Sequence, residues 1–129
     1  MISRPPNILI IEEDAIVSRI LQVRLVRDLN AVVFTAVSAE EGFRKLKDEK
    51  IDLLVLDIFL INQTTLDLIK TIRDDPETNA IPIIVITVIG DKENTDVARG
   101  LGIKDFVIKG KTSLKETSSM IKNVLEKRG

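Results

Sequence analysis

Three short segments of the chain consist almost entirely of isoleucine, leucine and valine, at positions 7–11, 51–56 and 81–86. Near-continuous apolar runs of this length are typical of strands buried on both faces, as parallel strands between two layers of helices are. Positions 31–36 and 104–108 are less apolar and are predicted as two weaker strands. The pattern therefore predicts five strands, with the three most apolar ones inside the molecule.

Amphipathic segments follow each predicted strand, which indicates five helices. Residues that cap helices precede four of them: Asp14, Ser38 with Glu41, Asp91, and Ser113 with Glu116. The third helix is expected to end at 74–76 and the fourth at Gly100 and Gly102. The side chains expected to face the core are Ile16, Ile20, Leu21 and Leu25 in the first helix, Phe43 and Leu46 in the second, Leu68, Ile69 and Ile72 in the third, and Leu114, Ile121, Val124 and Leu125 in the last.

Strands and helices that alternate in this way predict an α/β fold, a doubly wound (βα)5 arrangement with a five-stranded parallel sheet and helices on both faces. A closed barrel of eight such units needs about 250 residues. This chain has 129, so we expect an open sheet. We interpret residues 1–129 as a single domain whose core spans residues 7–126.

The chain contains neither histidine nor cysteine. A catalytic histidine, an imidazole or thiolate metal site, a disulfide and a histidine phosphodonor are therefore excluded. Its 19 basic and 20 acidic residues give a net charge of −1, unlike the basic excess of a typical nucleic-acid-binding domain. The apolar runs are too short to span a bilayer and no targeting segment is recognisable. We therefore expect a cytoplasmic protein without direct contact to nucleic acid or membrane.

Polar residues stand at the ends of four predicted strands. Glu12 and Glu13 follow the first, Asp57 the third, Thr87 the fourth and Lys109 the fifth. In an open α/β sheet, the carboxyl ends of the strands share the edge at which ligands bind. Asp57 stands alone between apolar neighbours, and a carboxylate in such surroundings is costly unless it is paired or binds a metal.

These residue types suit phosphoryl transfer. Asp57 would be the nucleophile that forms an aspartyl phosphate, and Glu12, Glu13 and Asp57 would bind Mg²⁺ or Mn²⁺. Lys109 would bring a positive charge to the phosphoryl group, and Thr87 would donate a hydrogen bond to it.

Four segments of the chain resemble the response-regulator receiver domain of two-component signalling, of the chemotaxis-receiver type. They are ILIIEED at 8–14, DLLVLDIFL at 52–60, IPIIVITVIGD at 81–91 and GIKDFVIKG at 102–110. The resemblance implies a flavodoxin-like strand order 2-1-3-4-5 and phosphorylation of Asp57 by a sensor histidine kinase or a histidine phosphotransfer protein. It also implies a switch formed by Thr87 and Phe106. A downstream effector protein would then bind the face formed by the fourth helix, fifth strand and fifth helix.

The chain departs from the family pattern around the predicted site. Glu13 replaces the usual aspartate, so we expect weaker or altered metal binding. The 61–65 loop lacks the usual proline and glycine, and we expect it to be reshaped. Gly110 replaces the proline that usually follows the lysine, so we expect a trans peptide or a turn that uses glycine's conformational freedom. Val88 replaces a smaller residue and would crowd the phosphoryl group.

Two functions compete on this evidence. The retained Asp57, Thr87 and Lys109 favour a phosphorylated receiver, which is a signalling domain and not an enzyme beyond its own phosphoryl transfer and dephosphorylation. The departures favour a pseudo-receiver, the same fold acting as a binding module without phosphorylation. Phe59 and Ile89 would flank the phosphoryl group and slow its attack by water. Phe59 also occupies the place of the second aspartate of haloacid-dehalogenase phosphatases, which disfavours that class.

Overall fold

In this computed structural model, which describes residues 4–59, 61–88 and 92–128, strands and helices alternate along the chain. The strands are β1 (Asn7–Ile11), β2 (Val32–Ala36), β3 (Leu53–Asp57), β4 (Ile83–Thr87) and β5 (Ile103–Ile108). The helices are α1 (Ala15–Leu29), α2 (Ala39–Asp48), α3 (Gln63–Asp74), α4 (Lys92–Gly100) and α5 (Leu114–Arg128). All four strand pairs are parallel, in the order β2-β1-β3-β4-β5. The predicted fold class and strand order are therefore confirmed.

The three most apolar segments form the three central strands, and their side chains point alternately into two cores. Leu9, Leu54 and Val85 belong to the core that is closed by α2, α3 and α4. Ile10, Val55 and Ile84 belong to the opposite core, which is closed by α1 and α5. Burial on both faces is the reason that these strands show no alternation of polar and apolar residues. Strands β3 and β4 begin two residues later than the apolar runs predict.

Helix α1 corrects the predicted core. Ile16 and Ile20 are exposed, at 74% and 52%, whereas Leu21 and Leu25 are buried as expected together with Ser18. At 100° per residue, Ile16 and Leu25 lie on opposite sides of the helix. Because α1 carries apolar residues on both sides, periodicity alone does not indicate which side packs against the sheet. Leu114, at the start of α5, was also predicted to face inward and is 41% exposed.

The predicted helix starts are confirmed where the structure describes them. The Asp14 carboxylate accepts a hydrogen bond from the Ile16 N–H at 2.8 Å, so Asp14 is an N-cap. Ser113 and Glu116 form a reciprocal capping box, each side chain accepting from the other's N–H at 3.0 Å. Ser38 likewise caps α2. The predicted cap Asp91 lies outside the described residues.

Arg73 of α3 fixes the turn that leads into β5. Its guanidinium donates hydrogen bonds to the backbone carbonyls of Leu101 at 2.7 Å and Gly102 at 3.2 Å, and also to those of Asn79 and Ile81. Gly102 has a φ of +82°, a conformation that glycine adopts readily and other residues rarely do. The turn after α4 is therefore held against α3, and this sets where β5 begins.

We expect Gly42→Ala to destabilise the protein. A Cβ at Gly42 in α2 would lie 2.7 Å from Ile11 Cγ1, inside a packed core, and overpacking typically costs about 1–3 kcal/mol. Gly100→Ala is the matched control, because a Cβ there meets nothing within 4 Å. Urea unfolding measures both variants. A Gly42→Ala variant as stable as the wild type would contradict the predicted packing.

Candidate functional site

The carboxyl ends of β1 and β3 and the segment after β5 meet at a pocket of about 660 Å³, here called the rim pocket. Glu12, Glu13, Asp57 and Lys109, all predicted site residues, line it. The fifth, Thr87, lies at the end of β4 and is not among the lining residues. The parallel sheet thus brings together in one pocket most of the residues that the strand ends predicted.

An ion pair joins the predicted nucleophile to the predicted lysine. Lys109 Nζ lies 2.8 Å from Asp57 Oδ1, and the Asp57 side chain is only 5% exposed. The backbone N–H of Lys109 donates to the Thr87 carbonyl at 2.8 Å, which extends the β4–β5 pairing to the lysine. Gly110 then turns the chain with a φ of +84°, and the described peptide bonds are all trans. The expectation for Gly110 is confirmed, and Lys109 reaches Asp57 without a following proline.

Glu12 and Asp57 form a pair of carboxyl groups at the bottom of the rim pocket. Glu12 is 7% exposed; its Oε1 accepts from the Asp14 N–H at 3.0 Å, and its Oε2 is buried without a hydrogen-bond partner. Burial raises the pKa of the Glu12 carboxyl above its ordinary value, and the negative charge of Asp57 raises it further. The Asp14 N–H and Lys109 oppose this shift without cancelling it.

These two carboxylates suit a hard cation. Mg²⁺ usually keeps several waters and binds one or two protein carboxylates, and the buried Glu12 Oε2 is an oxygen that lacks a donor or a cation. In the described part of the chain, no three acidic side chains converge into a metal-binding cluster. Glu13 is exposed in the same pocket, so the predicted set of Glu12, Glu13 and Asp57 is not gathered around one point.

The Thr87 hydroxyl, predicted to donate to a phosphoryl group, is engaged in a hydrogen bond within the protein. Its Oγ1 donates to the backbone carbonyl of Phe59 at 2.9 Å, and the Val88 N–H donates to the same oxygen at 3.0 Å. The Phe59 side chain lines the rim pocket and is 71% exposed. Ile89, predicted to flank the phosphoryl group together with Phe59, lies outside the described residues. The double contact at the Phe59 carbonyl has no signal in the sequence.

The 61–65 segment, which was expected to be reshaped, leads directly into α3. Residues 63–65 are the first turn of α3, and Asn62 caps it by accepting a hydrogen bond from the Thr65 N–H at 3.0 Å. Asn62 and Thr64 line the rim pocket. The cap at Asn62 was not predicted, although asparagine is among the residues preferred at this helix position.

The predicted switch residue Phe106 is half-buried and packs against the core on the α2–α3–α4 side. The guanidinium of Arg99, near the end of α4, lies 4.7 Å from the centre of its ring, a cation–π contact. Phe106 is therefore in contact with α4, on the face where an effector is predicted to bind.

Residues 8–122 match the family model described as response regulator receiver domain. This chain belongs to that family. Receiver domains are signalling modules of two-component systems, so the resemblance noted in the sequence is confirmed for nearly the whole chain. No helix in the described part of the chain combines the length and apolar character of a membrane span.

Relatives and solved structures agree with this assignment. The receiver is 33% identical over 104 residues to the transcriptional regulatory protein AfsQ1 of Streptomyces coelicolor, covering 81% of this chain and 44% of AfsQ1. It matches a response regulator receiver protein from Pseudomonas putida with a TM-score of 0.82 and 27% identity, over 95% of this chain and 99% of that one. A CheY-like receiver from Methanospirillum hungatei superposes with a TM-score of 0.84 at 22% identity, over 98% and 100%, and supports the fold. The chain spans less than half the length of AfsQ1.

We expect Glu12→Gln to stabilise the metal-free protein at neutral pH. The amide relieves the charge repulsion with Asp57 and can donate a hydrogen bond, and an unsatisfied buried polar group typically costs about 1–3 kcal/mol. The pKa of Glu12 is higher in the folded than in the unfolded state. The free energy of unfolding of the wild type therefore falls, relative to that of the variant, as the pH rises through these two pKa values. The advantage of Glu12→Gln should therefore vanish at low pH, where Glu12 is protonated in both states.

Urea unfolding with a chelator present, at a series of pH values, measures this difference. Glu13→Gln is the matched control, since Glu13 is exposed in the same pocket and its change should stay within about 0.5 kcal/mol. A Glu12→Gln variant that is less stable than the wild type at neutral pH would contradict the predicted repulsion.

Proposed function

We propose that this receiver accepts a phosphoryl group on Asp57 from a phosphohistidine of a sensor histidine kinase or a histidine phosphotransfer protein. The observation that carries the proposal is the buried Asp57 carboxylate with Lys109 Nζ at 2.8 Å and the Glu12 carboxyl beside it. A buried nucleophile, a fixed positive charge and a second carboxylate are the groups that phosphoryl transfer to an aspartate requires.

In the transfer, an Asp57 oxygen attacks phosphorus in line with the bond to the donor imidazole. The new P–O bond forms as the P–N bond breaks, and the imidazole nitrogen keeps the electron pair of that bond. Lys109 offsets negative charge on the phosphoryl oxygens. Glu12 and Asp57 would hold Mg²⁺ or Mn²⁺, which when bound neutralises further phosphoryl charge. Glu13 is one methylene longer than the usual aspartate and would act through water, which weakens the site.

The phosphohistidine must enter the rim pocket, because Asp57 is 4% exposed. Exposed apolar side chains flank the entrance. Phe59 and Val37 line the pocket, and Ile16 begins an outward stripe on α1 that continues through Ile20. A helical phosphodonor with an apolar face would bury this stripe while its histidine reaches Asp57. Such a contact would explain why α1 carries apolar residues on the side that does not pack against the sheet.

Phosphorylation would then act on the output face. The Thr87 hydroxyl leaves the Phe59 carbonyl for a phosphoryl oxygen, and Phe106 turns toward the space that Thr87 vacates. This biases an equilibrium between two states of the domain. The face of α4, β5 and α5 carries the charged residues Lys92, Glu93, Arg99, Lys104 and Lys111, which suit a reversible contact with a downstream effector protein.

The alternative is a pseudo-receiver that binds partners without phosphorylation. The observation that favours it is the exposed Glu13, which does not join Glu12 and Asp57 in a common metal cluster. The intact Asp57–Lys109 pair favours the phosphorylated receiver more strongly, because a buried carboxylate would otherwise be an unexplained cost.

Incubation with acetyl phosphate and Mg²⁺ should raise the intact mass by one phosphoryl group. Asp57→Asn should abolish the gain, whereas Asp48→Asn, which changes an exposed carboxylate at the end of α2, should retain it. Intact-protein mass spectrometry measures all three proteins. No gain in the wild type, or a gain that survives Asp57→Asn, would leave the pseudo-receiver as the better proposal.

Phe59→Asn should shorten the lifetime of the phosphorylated protein. The exposed ring at the mouth of the pocket restricts attack by water, and an amide admits and orients it. We expect the half-life to fall about threefold or more, a barrier change of roughly 0.6 kcal/mol or more. Phe59→Leu keeps an apolar group and should stay near the wild type. Phosphate release from purified phosphoprotein gives the rates, and equal half-lives for Phe59→Asn and the wild type would contradict the shielding role.

A further inference from the structure

Helix α4 is hydrogen-bonded to the segment that follows Asp57, here called the phosphoacceptor segment and represented by the described residues Phe59, Ile61 and Asn62. Asn94, half-buried in the first part of α4, donates from Nδ2 to the backbone carbonyl of Ile61 at 3.2 Å. Ile61 is itself buried. The phosphoacceptor segment is thereby hydrogen-bonded to a helix of the output face, at a position that follows Asp57 by only four residues.

The same segment is hydrogen-bonded to β4 at a second carbonyl. Phe59, two positions before Ile61, accepts from the Thr87 hydroxyl and from the Val88 N–H. The two carbonyls are therefore held by donors from different elements, Thr87 with Val88 on one side and Asn94 on the other. If the Thr87 hydroxyl leaves the Phe59 carbonyl, the segment loses one of its hydrogen bonds to β4 and can shift. The hydrogen bond from Asn94 would then pass this shift to α4.

We propose that Asn94 is a positioning residue that couples the phosphorylation state of Asp57 to the position of α4. The proposal rests on the proposed function, because it begins with the Thr87 hydroxyl moving to the phosphoryl group. With the Asn94 bond intact, the backbone at Ile61 and the start of α4 move together. Without it, Asp57 still accepts the phosphoryl group, but α4 responds less.

The other end of α4 makes this coupling more specific. Arg99 contacts the ring of Phe106, so α4 touches the phosphoacceptor segment near its beginning and the aromatic switch near its end. A rigid helix with contacts at both ends transmits a displacement at one end to the other. The Asn94 hydrogen bond therefore links α4 to the segment after Asp57 by a route that does not involve Phe106.

The absence of cysteine allows a direct measurement. Val97→Cys places one thiol on the outer part of α4, where it can carry an environment-sensitive fluorophore. Beryllofluoride with Mg²⁺ serves as the phosphoryl mimic. Asn94→Asp removes the donor at nearly the same size, and a carboxylate near the start of a helix favours the helix. Asn94→Ala removes the donor without adding charge.

In both Asn94 variants we expect the fluorescence change on α4 to fall by about half or more, while the apparent affinity for beryllofluoride stays within about threefold of the wild type. Asn94→Gln, which keeps an amide donor, should recover part of the change. Asp96→Ala is the matched control, because Asp96 is exposed and pairs with Lys92 on the α4 surface. It should respond like the wild type.

A full α4 response in both donor-less variants would overturn the proposal while leaving the proposed function intact. A parallel loss of binding and response would also overturn it, since Asn94 would then have only a structural role. A wild type that binds no beryllofluoride would overturn the proposed function and this coupling together. Hydrogen exchange without ligand gives a second readout, because the 61–64 amides should exchange faster in Asn94→Ala than in Asp96→Ala.

Discussion

The burial of one carboxylate is the constraint on which the rim pocket depends. Asp57 ends a strand whose other residues are wholly apolar, and its side chain is almost inaccessible to solvent. A charge in such a place requires a partner of opposite sign. Lys109 supplies it from beyond the far edge strand, with β4 in between. The pairing of β4 with β5, extended by the hydrogen bond from the Lys109 N–H to the Thr87 carbonyl, places Lys109 at the same edge of the sheet as Asp57.

The same pocket contains a second buried acidic group, Glu12. Glu12 is buried next to Asp57, with one oxygen unpartnered and a raised pKa. Two neighbouring carboxylates are unfavourable in the absence of a cation. Destabilising groups of this kind cluster at functional sites. A pair of buried carboxyl groups such as Glu12 and Asp57 is therefore what a functional site, rather than a stabilising core contact, would contain.

Hydrogen bonds to backbone carbonyls join the segment beside this pocket to β4 and α4. Phe59 and Ile61 accept from Thr87, Val88 and Asn94, and these donors belong to β4, its following residue and α4. Any residue type supplies a backbone carbonyl, so substitutions at positions 59 and 61 can change the side chains without removing these hydrogen bonds. This is consistent with an altered segment that nonetheless keeps its place between Asp57 and α4.

The fold class, the element order and most of the pocket follow from the pattern of residues along the chain. Strands buried on both faces must be apolar throughout, and residues that follow parallel strands must share one edge, so Glu12, Asp57 and Lys109 were predictable. Which side of α1 packs against the sheet is visible only in the folded protein, because both sides of the helix carry apolar residues. The same holds for the hydrogen bond from Thr87 to Phe59 and for the separation of Glu13 from Glu12 and Asp57. Those outcomes depend on side-chain directions and on contacts between distant segments, which hydrophobic periodicity and motif spacing do not encode.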